Sequence, residues 1–271
     1  MTVNEERRFG GLVRLYGVAG AARIREAHVV VIGLGGVGSW AAEALARSGV
    51  ARLTLIDLDH IGESNINRQV HALDLTLGQA KVQAMCERIA HIHPGCQVDC
   101  IEEFVDGDNW PGIFTQDKAT GTDRPLAFID ACDQIRAKTT LAAWAIKSMA
   151  PMISVGAAGG KRLAHLVDIQ DLSAVTHDPL LAKMRSALRR DHHAKRTGRM
   201  DVMCVFSREP TTQPSPVSGA LSSINSGETQ QLVLHTARSL NCQGYGSVVT
   251  VTSTFGMCAA GWVMNKISAD L

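Results

Sequence analysis

The sequence has few aromatic residues, which make up 4% of its 271 residues, and almost no net charge, with 27 Lys and Arg against 26 Asp and Glu. This balance excludes a protein that is basic over its whole surface, but it allows a local basic patch. None of the seven cysteines forms a C-x-x-C pair, so we predict no tetracysteine zinc site and expect no zinc. The charged N-terminal stretch lacks the apolar run of a secretory signal, and we therefore expect the protein in the cytoplasm.

Long apolar runs are also scarce, and one segment comes close to the length of a membrane helix. No Asp, Glu, Lys or Arg occurs from Ser239 to Asn265, and residues 247–264 are mostly apolar. A membrane helix needs about 20 predominantly apolar residues, whereas four Ser and Thr residues between 250 and 254 interrupt this run. The stretch SVVTVTS favours a buried strand followed by a core helix, and peripheral or single-pass membrane association through 247–264 is the alternative.

Glycine is plentiful, with 25 residues, and it marks the ends of apolar runs. The run 28–33 ends in a glycine cluster, helical spacing follows over 37–48, and a second apolar run covers 52–57. This order predicts a βαβ unit with parallel strands. The alternation continues with a helix predicted over 76–91, strands over 97–101 and 126–131, a helix over 135–148 and a strand over 152–156. We therefore predict a doubly wound, Rossmann-like α/β fold with a mostly parallel sheet.

The character of the sequence changes after residue 156. Two further strands, predicted over 165–172 and 201–207, need not be parallel to the others, and we expect additional antiparallel strands in this half. Residues 208–230 are rich in Pro, Ser, Thr and Gly, which predicts a mobile connection. We expect a single domain over 1–271, with a nucleotide-binding half at about 1–156 and a substrate-side and dimer half at about 157–271.

The loop GLGGVG at residues 33–38 follows a predicted strand and opens a predicted helix, as a phosphate-binding turn requires. Its glycines let the backbone approach phosphates closely, and the helix N-terminus offers free N–H groups and a partial positive charge. Asp57 ends the second strand, where a carboxylate can accept hydrogen bonds from ribose hydroxyls. The loop alone favours NAD or FAD.

The polar segment after Asp57 favours a nucleotide triphosphate instead. Arg68 can clamp a phosphate with two hydrogen bonds, and Lys81 can reach the same phosphates from the following helix. Asp133 follows a strand at the carboxyl edge of the sheet, where it can hold Mg²⁺ against the phosphates. The alternative is a surface ion pair between Arg68 and Asp133, with Lys81 in solvent. We predict Arg68, Lys81 and Asp133 as catalytic residues and assign ATP binding to Gly33, Gly35, Gly36, Gly38, Asp57, Asp59, Asn65, Arg68, Gln69 and Lys81.

Three motifs, GLGGVGS, IDLDHIGESNINRQ and DACDQIRAK, resemble the adenylation domain of ubiquitin-activating-like enzymes. That family includes the bacterial molybdopterin- and thiamine-pathway adenylyltransferases. The resemblance implies that Mg-ATP converts a carboxylate into an acyl-adenylate. It further implies that Asp57 binds ribose, Asn65 contacts the nucleotide, Arg68 and Lys81 bind phosphates, and Asp133 holds magnesium.

The same resemblance implies a homodimer, because family members receive an arginine from the partner subunit. The family's R-Y-x-R-Q stretch is replaced here by RFGGL at residues 8–12. Arg8 keeps the first arginine, whereas Gly11 stands where the second is expected. Arg8 and Arg14 are therefore both candidates for the partner-site arginine.

A closer resemblance to tRNA threonylcarbamoyladenosine dehydratases covers nearly the whole chain. It is carried by RRFGGLVRLYG, GGVGSWAAEALARSG, NRQVHAL, HDPL and CVFS. That family implies adenylation of the threonyl carboxylate on an adenosine beside the tRNA anticodon, followed by ring closure with loss of AMP. The basic segment 177–199 fits a tRNA partner, because clustered cations bind phosphate backbones, and it does not require DNA. The tRNA-binding candidates are Arg185, Arg189, Arg190, Lys195 and Arg196.

Three other functions compete with this hypothesis. An adenylyltransferase would activate the C-terminus of a small sulfur-carrier protein, but the missing zinc cysteines and the basic segment count against it. A nucleotide-binding module could regulate a sulfur-transfer partner, since family members are associated with cysteine desulfurase systems. Hydride transfer with NAD is the most distant alternative, because Arg68 and Lys81 would then have no task.

Ring closure requires no thiol nucleophile in principle. Cys242, in the loop NCQGYG, is the candidate for sulfur exchange or redox chemistry, whereas Cys204 lies in an apolar run and is predicted to be packed. His60 and His71 flank the nucleotide motif and are candidate general bases.

Overall fold

The computed structural model describes residues 4–114, 126–212 and 245–269. The strands are β1 (His28–Ile32), β2 (Arg52–Ile56), β3 (Gln97–Ile101), β4 (Leu126–Asp130), β5 (Met152–Val155), β6 (Val167–Asp171) and β7 (Met203–Ser207). The helices are α1 (Glu5–Glu26), α2 (Gly38–Arg47), α3 (Lys81–Ile92), α4 (Ile135–Ser148), α5 (Pro179–Asp191) and α6 (Val249–Ser268).

The strands form one seven-stranded sheet in the order β3-β2-β1-β4-β5-β7-β6. Neighbouring strands are parallel, except that β6 pairs antiparallel with β7. The predicted α/β fold, with a mostly parallel sheet and an antiparallel addition in the C-terminal half, is confirmed. The chain winds outward in opposite directions from β1 and β4, so the strand order reverses between them. Ligands of such sheets bind outside the carboxyl ends of the strands at this reversal.

One face of the sheet is covered by α1, α2, α3 and α6. Ile24, Leu45, Met85 and Phe255, one from each of these helices, are fully buried in a common core with the sheet. The central strands β1, β4 and β5 are mostly apolar because helices cover both faces of the sheet. This explains why 28–33 could be recognised from hydrophobicity.

The opposite face of the sheet packs against α4 and α5. Several of the few aromatic residues of the protein lie there. The rings of Phe128 and Trp144 lie 4.9 Å apart between centroids, and Trp110 contacts Trp144 edge to face at 5.2 Å. Leu141 of α4 and Leu188 of α5 are fully buried in the same cluster. The sheet is therefore packed on both faces, so a ligand can approach it only at an edge, such as the carboxyl ends of the strands.

The strand predicted at 247–253 is wrong, because helix α6 begins at Val249 within this stretch. Their β-branched side chains favour a strand, yet Val251, Phe255, Ala259 and Val263 recur at helical spacing and are all fully buried. The hydroxyl of Ser253 also donates to a carbonyl one turn back, at 2.6 Å. Tertiary packing has overridden the local preference. No helix within the described ranges is long and apolar enough to cross a membrane.

Helix α1 precedes the first element predicted from the sequence. It bends at Gly17, where φ is +72°, and its last turn packs Ile24 into the core. Of the predicted connection over 208–230, only residues 208–212 belong to the described part, and the remainder lies outside it. The division into halves near residue 156 stays a prediction.

Candidate active site

The glycine loop lies where the strand order reverses, between the ends of β1 and β4. Gly33 has φ +87°, and a Cβ there would lie 2.9 Å from the Ala131 carbonyl and from the Cys132 nitrogen. A Cβ at Gly38 would lie 1.8 Å from the Gly33 oxygen. These two positions require glycine because the loop folds tightly against the turn after β4.

The other side of the loop is open. A Cβ at Gly35 would meet nothing within 4 Å, so the backbone there faces space that a ligand can enter. Helix α2 begins at Gly38 and has no side-chain cap at Val37. The Ser39 N–H donates to the Gly35 carbonyl at 3.2 Å, and the partial positive charge of the helix N-terminus next to the loop suits a phosphate.

Asp57, just after β2, is hydrogen-bonded to this loop. Its carboxylate accepts hydrogen bonds from the Leu34 nitrogen at 2.5 Å and from the Asp59 nitrogen at 2.9 Å. Burial raises the pKa of Asp57, while the positive charge of Lys81 and the two backbone donors oppose that shift. The group therefore lies at the loop in a fixed orientation, as the predicted ribose contact requires.

Lys81 is the first residue of α3, and its side chain is nearly buried beside Asp57. Its ammonium nitrogen lies 2.6 Å from the Asp59 carboxylate and 3.9 Å from that of Asp57. The Asp59 side chain is largely exposed, whereas that of Lys81 is not. The structure thus joins three of the predicted nucleotide residues in one cluster of charges.

Arg68 lies across the glycine loop. A Cβ at Gly36 would lie 3.1 Å from the Arg68 Cγ, which shows how closely this side chain packs on the loop. The guanidinium donates to the Ser64 carbonyl at 2.5 Å and to the Asn67 side chain at 2.9 Å. Trp40 of α2 donates to the Arg68 carbonyl at 2.9 Å, a backbone anchor that the sequence analysis missed.

The two other predicted residues of this segment, Asn65 and Gln69, differ in their contacts. The Asn65 side chain accepts from the Gly62 nitrogen at 3.1 Å and closes its own short turn. Gln69 is buried, and its side-chain oxygen has no hydrogen-bond partner in the described part of the protein. Nucleotide contacts by Asn65 and Gln69 stay predictions.

The two candidate bases lie in opposite environments. His71 is buried, with neither ring nitrogen hydrogen-bonded to a described residue, and burial, helped by Lys81 and Arg88, lowers its pKa to about 4. It is therefore neutral near pH 7. His60 is exposed, and its Nε2 lies 3.6 Å from the Glu102 carboxylate.

Asp133 follows β4 in the turn that supports the glycine loop, and it is half-buried there. The described residues contain no group of three or more His, Cys, Asp and Glu side chains arranged to hold a metal. A single carboxylate still suits Mg²⁺, which commonly keeps several waters and takes its other ligands from substrate phosphates. Asp133 therefore fits the predicted ion, and its role stays a prediction.

The basic segment forms α5 and the loop after it. Arg185 donates to the carbonyls of Leu172 and Val175 at 2.9 and 3.0 Å, so it stabilises the fold beneath the helix. Arg189 likewise donates to backbone carbonyls, those of Lys195 and Arg196.

The remaining tRNA-binding candidates lie on the outer surface of this segment. Arg190 pairs with Asp191 at 2.7 Å and Lys195 with Asp201 at 2.8 Å, both on the surface. The Arg196 side chain is exposed. These three are accessible to a large partner.

The structure also places the two candidate arginines near the N-terminus and the two cysteines discussed from the sequence. Arg8 donates to the Ile92 carbonyl at 2.6 Å, at the C-terminal end of α3, whereas Arg14 is exposed on α1. Cys204 is packed, as predicted, and burial raises its pKa well above the ordinary value. Cys242 lies outside the described residues.

The sequence matches the ThiF family over residues 10–270. The chain belongs to the ThiF family. Among its curated relatives, the tRNA threonylcarbamoyladenosine dehydratase of Haemophilus influenzae is 39% identical over 267 residues, which are 97% of this chain and 94% of that protein. The dehydratase of Escherichia coli is 37% identical, with the same coverage. The resemblance inferred from the sequence motifs is thereby confirmed.

Solved structures agree with this relationship. The crystal structure of the E. coli tRNA N6-threonylcarbamoyladenosine dehydratase in complex with ATP has a TM-score of 0.81 and 34% identity, and the match covers 99% of this chain and 98% of that one. The AMP complex gives the same TM-score with 35% identity. The molybdopterin-synthase adenylyltransferase of Salmonella typhimurium is 31% identical, but over only 53% of this chain and 54% of that protein.

Proposed function

We propose that this protein is an ATP-dependent tRNA cyclodehydratase that closes the threonylcarbamoyl side chain of the adenosine beside the anticodon. The observation that carries the proposal is the share of this chain that each group of relatives matches. Dehydratases match 97% of the chain at 37–39% identity, whereas a molybdopterin-synthase adenylyltransferase matches 53%. The adenylation of a sulfur-carrier protein is therefore the weaker alternative.

In this proposal ATP binds at the carboxyl edge of β1, β2 and β4. The backbone of the glycine loop and the partial positive charge at the start of α2 receive phosphate oxygens, and Asp57 accepts hydrogen bonds from the ribose. Lys81 exchanges its contact with Asp59 for a phosphate, and Arg68, already seated on the loop, contacts another. Crystal structures of the E. coli relative with ATP and with AMP support a site that binds substrate and product nucleotides.

The chemistry needs two balanced steps. A carboxylate oxygen of the threonyl group attacks the α-phosphorus of ATP, the bond to the β-phosphate oxygen breaks, and pyrophosphate leaves. A nucleophilic atom of the carbamoyl group then attacks the activated acyl carbon, AMP leaves with the electrons of the acyl C–O bond, and the attacking group loses a proton. The sum is the loss of one water from the side chain at the expense of ATP, which makes the enzyme an AMP-forming cyclase.

The residues of this chain contribute charge and orientation. Arg68 and Lys81 offset the negative charge that develops as pyrophosphate leaves, and Asp133 would hold Mg²⁺, which neutralises the same phosphates when bound. Ring closure is intramolecular, so holding the side chain in a reactive geometry can contribute several kcal/mol without a covalent enzyme intermediate. Cys242 is not required in this scheme, and a cysteine desulfurase or sulfur-acceptor partner stays a prediction.

The outer surface of α5 and its loop is the proposed tRNA contact. Segment 177–199 carries seven Lys and Arg residues against the acids Asp178 and Asp191. Arg190, Lys195 and Arg196 project to solvent, whereas Arg185 and Arg189 shape the segment. Such a surface binds phosphates without reading base sequence, and the affinity depends on salt.

A homodimer completes the proposed site. Arg8 is hydrogen-bonded to the Ile92 carbonyl at the end of α3, so Arg14 is the better candidate for the arginine that enters the partner subunit. Leu15 and Val18, on the same helix, are 74% and 77% exposed, which fits an interface along α1. We place this enzyme in the cytoplasm, where its tRNA substrate occurs.

The proposal is tested by incubating the protein with Mg-ATP and tRNA that carries the threonylcarbamoyl group, and measuring AMP release. We expect release that depends on this tRNA and is absent with tRNA that lacks the modification. Release only with a small carrier protein would favour the adenylyltransferase. ATP binding without AMP release in either case would favour a regulatory module.

A further inference from the structure

A fully buried ion pair lies directly under the candidate active site. The Lys138 ammonium, in the second turn of α4, is 2.9 Å from the carboxylate of Asp130, the last residue of β4, and neither side chain is exposed to solvent. A buried pair is costly to desolvate and is often no more stable than apolar residues of similar volume. Stability alone therefore does not explain its presence here.

The hydrogen bonds of this pair converge on the turn after β4. Lys138 donates to the Cys132 carbonyl at 3.0 Å, and the Asp130 carboxylate accepts from the Cys132 nitrogen at 3.3 Å and its thiol at 2.9 Å. Ser154 of β5 donates to the other Asp130 oxygen at 2.6 Å. The pair thus hydrogen-bonds to both the N–H and the carbonyl of Cys132, and Asp130 links the turn to β5 through Ser154.

The turn has two neighbours in the proposed site. On one side, Ala131 and Cys132 support the glycine loop, with the Ala131 carbonyl against Gly33 and its Cβ 3.2 Å from a Cβ built at Gly38. On the other side, the next residue in the chain is Asp133. Any shift of the Cys132 carbonyl therefore redirects the backbone that presents Asp133.

We propose that Lys138 is a positioning residue that, through the Cys132 carbonyl, holds Asp133 in the direction required to bind Mg²⁺ on the ATP phosphates. This inference rests on the proposed function, because it takes Asp133 as the magnesium ligand. Residues that orient a metal ligand typically account for about 10- to 100-fold in metal affinity. Loss of Lys138 is therefore expected to weaken the binding of magnesium more than the binding of the nucleotide alone.

The experiment compares the Kd of ATP in excess Mg²⁺ with its Kd in EDTA, by titration calorimetry on the full-length protein. Lys138→Met is the test variant and Asp133→Asn the reference that removes the ligand. Lys161→Met is a matched control, because Lys161 is also buried and donates to two carbonyls, those of His177 and Glu209, but does not contact this turn. Circular dichroism establishes that each variant is folded.

We expect Lys138→Met and Asp133→Asn to lower the magnesium-dependent gain in ATP affinity by about tenfold or more, with a much smaller change in EDTA. Lys161→Met should keep the gain of the unmodified protein. If Lys138→Met does not fold, Ser154→Ala, which removes the 2.6 Å bond to Asp130, should lower the same gain in the same direction.

An unchanged ratio of the two Kd values in the folded Lys138 variant, or in Ser154→Ala if that variant is used, would overturn the positioning role. A ratio that is unchanged in Asp133→Asn as well would show that Asp133 is not the magnesium ligand, so that part of the proposed function would fail with it. The proposed reaction is tested separately by AMP release, so its failure is distinguishable.

Discussion

Lys81 Nζ lies 3.9 Å from Asp57 Oδ1, and the two side chains are only 7% and 9% exposed. The proposed phosphate cation and the proposed ribose acid are thus fixed against each other before any nucleotide binds. Lys81 has an additional, exposed partner in Asp59 at 2.6 Å. An incoming phosphate can replace that carboxylate without moving Asp57, which keeps the ribose site intact during exchange.

The first prediction concerns the two phosphate cations. Lys81→Met and Arg68→Ala should each lower tRNA-dependent AMP formation by about 100-fold or more, because each removes a positive charge that is expected to stabilise the departing pyrophosphate. Single-turnover AMP release provides the measurement. Lys147→Ala, at the exposed end of α4, is the control and should keep the unmodified rate. Near-normal turnover in either site variant would show that the phosphate contacts have been assigned to the wrong residues.

The second prediction concerns pH and His71. In the unfolded chain this imidazole binds a proton near pH 6.5, but in the folded protein burial keeps it neutral down to about pH 4. Stability is therefore complete above pH 6.5 and is lost as the pH falls towards 4, with a contribution of about 2 kcal/mol between pH 7 and pH 5.

Urea denaturation at these two pH values measures the effect. His71→Gln, which cannot titrate, should show a smaller loss of stability than the unmodified protein, whereas the exposed His60→Gln should show the same loss. An identical pH dependence in the His71 variant would mean that folding does not lower the pKa of this imidazole.

The third prediction concerns the contact between α6 and the glycine loop. A Cβ at Gly256 would lie 2.5 Å from the Val37 carbonyl and 2.9 Å from the Ala41 nitrogen, both of which are backbone atoms at the start of α2. Gly256→Ala should therefore lower the free energy of unfolding by about 1–3 kcal/mol and also weaken ATP binding, because α2 and its loop must shift.

The same helix provides the control. A Cβ at Gly261 would meet nothing within 4 Å, so Gly261→Ala should stabilise the protein by up to about 1 kcal/mol and leave ATP affinity unchanged. Thermal unfolding and ATP titration of both variants test the pair. Equal stability of the two variants would contradict the close packing of α6 on α2.

The fourth prediction concerns tRNA. Arg196→Ala removes an exposed cation of the basic segment and should weaken tRNA binding while lowering the slope of log affinity against log salt by about 1. Filter binding at several salt concentrations gives that slope. Lys147→Ala again serves as the control. If Arg196→Ala has the same slope as the unmodified protein, tRNA does not contact this residue.

The parts of the structure that the sequence predicted best are those with local causes. The central strands β1, β4 and β5 are mostly apolar because both faces of the sheet are covered. The glycine loop is visible because Gly33 and Gly38 occupy positions that no other residue fits. The spacing of Asp57 and Lys81 in the alternation of strands and helices places both at one edge of the sheet, where the structure brings them together; their contacts with a nucleotide stay predictions.

The features that were missed depend on tertiary contacts. Helix α6 begins in β-branched residues, and its helical state follows from packing of Val251 and Phe255 against the sheet. Helix α1 contains four glycines, among them Gly17 at its bend, so its local helix preference is low. Lys138 carried a usable signal, since a lysine beside the buried positions of a predicted helix requires a buried partner, but the sequence did not identify Asp130 as that partner.

The central claim is most directly tested by mass spectrometry of nucleosides from tRNA that has been incubated with this protein and Mg-ATP. A cyclase converts threonylcarbamoyladenosine into a nucleoside lighter by one water, and releases one AMP for each molecule converted. An unchanged nucleoside, from folded protein that demonstrably binds ATP and this tRNA, would contradict the proposed reaction.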